Sequence, residues 1–199
     1  VAEYGLVAPQ TLLALRRAIP CWLEDADNGL TDYFRSLLHG LWGDLVALDD
    51  RMTELDKQIK TLADSNEVTQ RLQQLRGVGP LVATALVATV GTGEQFKKGK
   101  QMAAALGLTP RQHSSGGKDR LLGISKRGDA YLRRLLIHGA RSAIYAARGK
   151  EDRLSQWVMS IATRRHPNIA AVALANKTAR MAWAMLRHDT DYDPELAAA

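Results

Sequence analysis

Phe34, Leu38, Leu41, Leu45, Leu48, Met52, Leu55, Ile59 and Leu62 follow one another at alternating steps of four and three, with Asp49, Arg51, Glu54, Asp56, Lys57 and Lys60 among the positions between. A seam of just over four heptads predicts one long helix whose apolar edge seeks another helix. Upstream, Leu12, Leu13, Leu15, Ala18 and Ile19 predict a short helix stopped at Pro20, and Asp25-Ala26-Asp27-Asn28-Gly29 reads as a turn. Downstream, short helices are expected over Leu81 to Val90, Lys100 to Leu106 and Leu154 to Ala162. Asp129 is placed to cap a helix that runs to about Ala147 with Leu132, Leu135, Leu136, Ala140, Ala143 and Ile144 on its inner side. A last helix, Asn168 to Leu186, is apolar over much of its surface and interrupted by Asn176, Lys177 and Arg180; Asn176 is read as a structural hydrogen-bonding residue. No stretch alternates convincingly as a strand, so the expected fold is all-α: a long coiled-coil helical arm, then a compact helical domain. The expected boundaries are 1–29 for an N-terminal helical segment, 30–71 for the arm, 72–188 for the compact domain and 189–199 for a flexible tail.

Charge divides the chain unevenly. Thirteen Lys and Arg against three acids lie between Gly91 and Lys150, a net +10, while the whole chain is +6. The remainder is therefore −4, and the positive charge is local. A basic block of this kind points to a polyanionic partner, nucleic acid first. The single cysteine, Cys21, excludes an intrachain disulfide, and no Cys/His spacing suggests zinc. No apolar run reaches membrane length and no signal pattern opens the chain, so a cytoplasmic location without a membrane partner is expected. The first residue is Val1, in mid-pattern, which reads as a piece of a longer protein.

Two stretches carry chemistry. From Leu75 to Ala83 the order apolar, x, Gly, apolar, Gly, x, x, x, Ala is matched at every position, and it resembles the helix-hairpin-helix motif. The resemblance implies that Gly77 and Gly79 let the hairpin turn tightly and offer amides to a DNA phosphate. Leu81 stands where a cation often follows, so a purely packing hairpin is the alternative. The second stretch, Gly107 to Arg134, crowds glycines, hydroxyls and cations together; Arg111, Lys118, Arg120, Lys126, Arg127, Arg133 and Arg134 are its candidates for holding phosphates. A serine hydroxyl near such cations can attack a phosphodiester if it is aligned and deprotonated. The residues alone do not separate Ser114 from Ser115. His113 is a possible base or a solvated side chain, and Ser125 reads as a turn or cap residue.

Gly-Leu-Thr-Pro-Arg at 107–111, Ser-Ser-Gly-Gly at 114–117 and Gly-Ile-Ser-Lys-Arg-Gly at 123–128, with Asn168 to Leu186 behind them, resemble the C-terminal transposase domain of DEDD-type insertion-sequence transposases, the bridge-RNA-guided serine DNA recombinases. That resemblance, which covers nearly the whole chain, implies a bacterial or archaeal, nucleoid-associated enzyme that cleaves and joins DNA at specific sites. It implies Ser115 as the nucleophile, and a composite site with an N-terminal acidic nuclease-like domain, not visible in this sequence, that binds magnesium. DNA, a guide RNA and a second copy paired through the coiled coil are the implied partners. The alternative function is a noncatalytic helical module for nucleic-acid binding and dimerisation.

Overall fold

The computed structural model describes residues 1–115 and 118–194, with the side chains of 113–115 and 118–121 outside the description. Among these residues the chain is helical, as expected, with a short 3₁₀ turn at Ala2–Tyr4 and one two-stranded sheet. Two compact units divide it, Val1–Lys57 and Gln58–Ala199.

The first unit holds α1 (Leu12–Glu24) and most of α2 (Asp32–Ser65). Contrary to expectation, α1 does not stop at Pro20 but carries it inside and continues to Glu24. Proline there forfeits one backbone bond and crowds the preceding turn, at a cost of about 3 kcal/mol. Tertiary contacts offset it. Trp22 and Leu23 pack with Ile19, Leu30, Phe34 and Leu38. The helix's end is held as well, since Arg35 Nη1 donates to the carbonyls of Trp22 and Leu23 at 3.0 and 2.8 Å and Asn28 Nδ2 donates to Trp22 at 2.6 Å. Along α2, Phe34 and Leu38 thus spend the start of the heptad seam on this small cluster. Leu41, Leu48, Met52, Leu55 and Leu62 remain exposed.

The second unit contains α3 (Glu67–Leu72), α4 (Pro80–Val90), α5 (Gly99–Ala105), β1 (Pro110–Ser115), β2 (Lys118–Ile124), α6 (Ala130–Ala146), α7 (Arg153–Arg164) and α8 (Pro167–His188). Its core lies around α8, which α3, α5, α6 and α7 all touch. Ala171, Ala175, Ala179 and Ala182 recur on α8 at steps of four and three and are fully buried, so neighbouring backbones can approach closely. Leu72, Leu86, Leu132, Leu136 and Leu174 fill the space between. Burying each contributes roughly 1.5–3 kcal/mol.

One sequence expectation is corrected in this unit. No strand was expected, yet Pro110–Ser115 and Lys118–Ile124 pair as antiparallel β-strands. The strands of this hairpin are too polar to alternate visibly between apolar and polar. The legible clue was Gly116-Gly117, two glycines standing between Ser115 and Lys118. After α8, Arg71 bonds Asp189, Gln74 Nε2 donates to Asp191 at 3.3 Å, and Tyr192 N donates to Gln74 Oε1 at 3.0 Å. Tyr192 packs against the core, which supplies the apolar burial that a charged tail lacks.

Candidate functional site

The hairpin is held at its base and presented at its tip. Gly107 turns the chain out of α5 at φ 68°, and bonds run back across the base: Ser125 N donates to Thr109 O at 2.8 Å and Lys126 N to Gly107 O at 3.2 Å. Asn176 on α8 donates to Leu108 O at 3.2 Å, the structural hydrogen bond anticipated for it. On the far side, Gly128 lies so close to α5 that a Cβ would stand 1.7 Å from Ala105 O. A side chain at Gly107 would likewise collide with the Arg127 backbone. These contacts leave the returning loop one path, with Lys126 in the left-handed region at φ 56°, an unfavourable conformation for a residue with a Cβ.

From this base β1 and β2 pair in antiparallel register, Gln112 with Leu121, His113 with Arg120, Ser114 with Asp119 and Ser115 with Lys118, after an irregularity between Pro110 and Gln112. Cross-strand partners belong to one face of a ladder, and faces alternate along each strand. Ser115, Lys118, His113 and Arg120 therefore share one face, and Ser114 with Asp119 belongs to the other. The side chains of Ser115, Lys118 and Arg120, and of His113 and Ser114, lie outside the described residues.

The remaining predicted cations differ in what they do. Arg111, Lys126, Arg127 and Arg134 are exposed. Arg134 Nε donates to Ala130 O at 3.3 Å on its own helix. Arg133 is half-buried and turned inward: its Nη1 donates to the carbonyls of Leu106, Arg127 and Asp129 at 3.0, 3.2 and 3.4 Å, pinning the loop between the hairpin and α6. Sequence reading grouped it with the phosphate-holding cations because charge alone does not reveal a carbonyl clamp. Asp129 caps α6, accepting from Tyr131 N and Leu132 N at 2.7 and 3.0 Å. Ser125 acts as a turn residue, its Oγ accepting from Arg127 N at 3.5 Å.

The two glycines after α3 part company. Gly77, at φ 79°, meets α6 backbone to backbone, where a Cβ would stand 2.3 Å from Gly139 O; the reciprocal Cβ on Gly139 would stand 1.9 Å from Gly77 O. Gly79 is the N-cap of α4 and faces open space. Between them and α7, Arg76 reaches Ser155 Oγ at 2.5 Å and Asp152 at 3.0 Å. Burial works against the charge of Asp152, but the Ser155 hydroxyl and amide and the Arg76 guanidinium outweigh it and hold the carboxyl down at about 2. Arg76 thus ties the turn to α7.

Among the described residues no three His, Cys, Asp or Glu gather as a metal site, and no helix is long and apolar enough to cross a membrane. Residues 69–156 match the model of the Transposase IS116/IS110/IS902 family. The chain is 48% identical over 195 residues to a probable family 20 transposase of Pseudomonas aeruginosa, covering 98% of this chain and 58% of that protein. It is 41% identical over 190 residues to the transposase for insertion sequence element IS1111A of Coxiella burnetii, covering 96% and 52%. A third relative, the transposase for IS1328 of Yersinia enterocolitica, is 35% identical, with 94% and 55% covered. The chain thus spans between half and three fifths of the length of these relatives, and together they support an insertion-sequence transposase domain here, centred on residues 69–156.

Proposed function

We propose that the chain is the C-terminal part of an insertion-sequence transposase, a site-specific DNA recombinase that cuts and rejoins strands through Ser115. The observation that carries this reading is the pairing of Ser115 with Lys118 at the tip of an anchored hairpin, whose base bears the exposed Arg111, Lys126 and Arg127. Ser115 shares its face with three basic or titratable residues, whereas Ser114 shares the other with an acid, so the register favours Ser115.

In the reaction the Ser115 hydroxyl gives up its proton and its oxygen forms a bond to a DNA phosphorus. One bridging P–O bond of the strand breaks, and the departing oxygen takes a proton to become a free hydroxyl. A second strand's hydroxyl then attacks the phosphoserine, restoring serine and a phosphodiester. Cations offset the charge that gathers on the phosphate oxygens in both steps. The described residues offer no ligand set for magnesium. An acidic site that holds it would lie in the part of the protein this chain does not span. A guide RNA would share the same basic surface through its phosphates, and the exposed seam of α2 would bring two copies together.

The test is the covalent intermediate. The full-length protein incubated with its element-end DNA should give a protein–DNA adduct that mass spectrometry maps to Ser115. An adduct at another residue, or recombination by Ser115→Ala at the wild-type rate, overturns the assignment.

A further inference from the structure

Away from the hairpin, a glycine contact assembles a second cluster of cations. Gly99 opens α5 directly against α8, where a Cβ would stand 3.0 Å from Arg180 O and 3.1 Å from the Trp183 ring. Lys98 and Lys100 on either side of it, with Lys177 and Arg180 on α8, line a cavity of about 470 Å³. That size lies within the roughly 300–1,000 Å³ of small-molecule sites. Among the described residues none of the four forms an ion pair. Lys177 lies over the Trp157 ring, its Nζ 4.8 Å from the centroid; burial, and after it the charge of Arg180, push its ammonium down from the ordinary lysine range. An anion between Lys177 and Arg180 would relieve that opposition.

The rest of the lining is of another kind. Met181, Trp183, Met185 and Tyr192 make much of the wall apolar and aromatic. Trp183 is fixed before any ligand arrives, its Nε1 donating to Gly93 O and Phe96 O, both at 3.1 Å. Tyr192 is placed by its backbone bond to Gln74. Asp191 and Asp193 also line the cavity. A bare phosphate would leave the aromatic wall uncovered, a neutral apolar ligand would not answer four cations, and a ligand charged throughout would meet the two carboxylates. A flat, polar ring system with an anionic group at one end satisfies all three.

We propose that this cavity binds a single nucleotide, its phosphate on Lys98, Lys100, Lys177 and Arg180 and its base against Met181, Trp183 and Tyr192. Either a nucleotide within a single strand or a free nucleoside monophosphate presents this chemistry, and the test separates them. The chain is titrated with adenosine 5′-monophosphate by calorimetry and with a single-stranded hexadeoxynucleotide containing 2-aminopurine by fluorescence. Saturable binding of the oligonucleotide alone assigns the site to a strand, and binding of the monophosphate assigns it to a free nucleotide. The double variant Lys100→Gln with Arg180→Gln, both exposed positions, and the cavity-filling Met181→Trp should each weaken the probe that binds by about tenfold or more. Circular dichroism checks the fold of each variant, and the double variant decides if Met181→Trp does not fold. Failure of both probes to saturate, or wild-type affinity in the double variant, overturns the proposal.

Discussion

At the scale of single residues, neighbouring arginines in one basic run have different jobs. Arg133 Nη1 serves three loop carbonyls while Arg134 lies on the surface. Arg133→Ala should therefore cost about 0.5–1.5 kcal/mol in a denaturant titration, because the part-buried carbonyls of Leu106 and Asp129 lose their donor. Arg134→Ala should stay within about 0.5 kcal/mol. Equal losses at the two positions would show that the carbonyl clamp contributes nothing. For Ser115, removal of one oxygen and no charge predicts that Ser115→Ala in the full-length protein binds DNA normally and fails to exchange strands. Ser114→Ala should be milder. If strand exchange and DNA binding fall together, Ser115 has a structural role instead. The capping role of Asp129 and the support given by Asn176 were legible from spacing alone. The inward turn of Arg133 was not, since it depends on where residues 106 and 127 end up.

At the scale of elements, α2 and the hairpin answer different questions. The heptad seam was legible because a period of 3.5 is written in the sequence, and the helix runs unbroken over Asp32–Ser65. Leu41, Leu48, Met52 and Leu62 are each more than 60% exposed, a continuous apolar edge that association would cover. Sedimentation should show a concentration-dependent dimer or larger species, and Leu41→Glu with Leu48→Glu should shift it to monomer without loss of helicity. A wild-type chain that stays monomeric at high concentration counts against this. The hairpin was missed because its polar strands carry no period, and α1 outran Pro20 because Arg35 and Asn28 hold its end from a distance.

At the scale of the whole molecule, the uneven charge makes the proposed nucleic-acid binding an electrostatic matter first. Affinity for duplex DNA should fall steeply with salt and vary little with sequence. Removing Arg111, Lys126 and Arg127 should flatten the log–log salt slope by up to about 0.9 for each phosphate that is no longer neutralised. An unchanged slope would mean these cations meet only solvent. Stability has its own charge dependence. The carboxyl of Asp152 sits at about 2 in the folded chain against an ordinary 3.8, so its contribution is complete above pH 4. It is lost as the pH falls from about 4 towards 2. Melting temperatures of wild type and Asp152→Asn should therefore differ at pH 6 and converge near pH 2; a constant gap would place the effect elsewhere.

The way the hairpin is rooted turns strand length into a ruler. Its base is fastened to α5, α6 and α8, while Pro110 to Ser115 rises about 3.3 Å per residue, so the serine stands roughly 17 Å beyond the fastening. Removing one residue from each strand would draw it in by about 3.3 Å and also change the parity, handing its place to the opposite side of the ribbon. Removing two from each would keep the side and shorten the reach by about 7 Å. Distance and orientation can thus be set separately by counting residues, and a substrate held at a fixed depth tolerates only one answer to both.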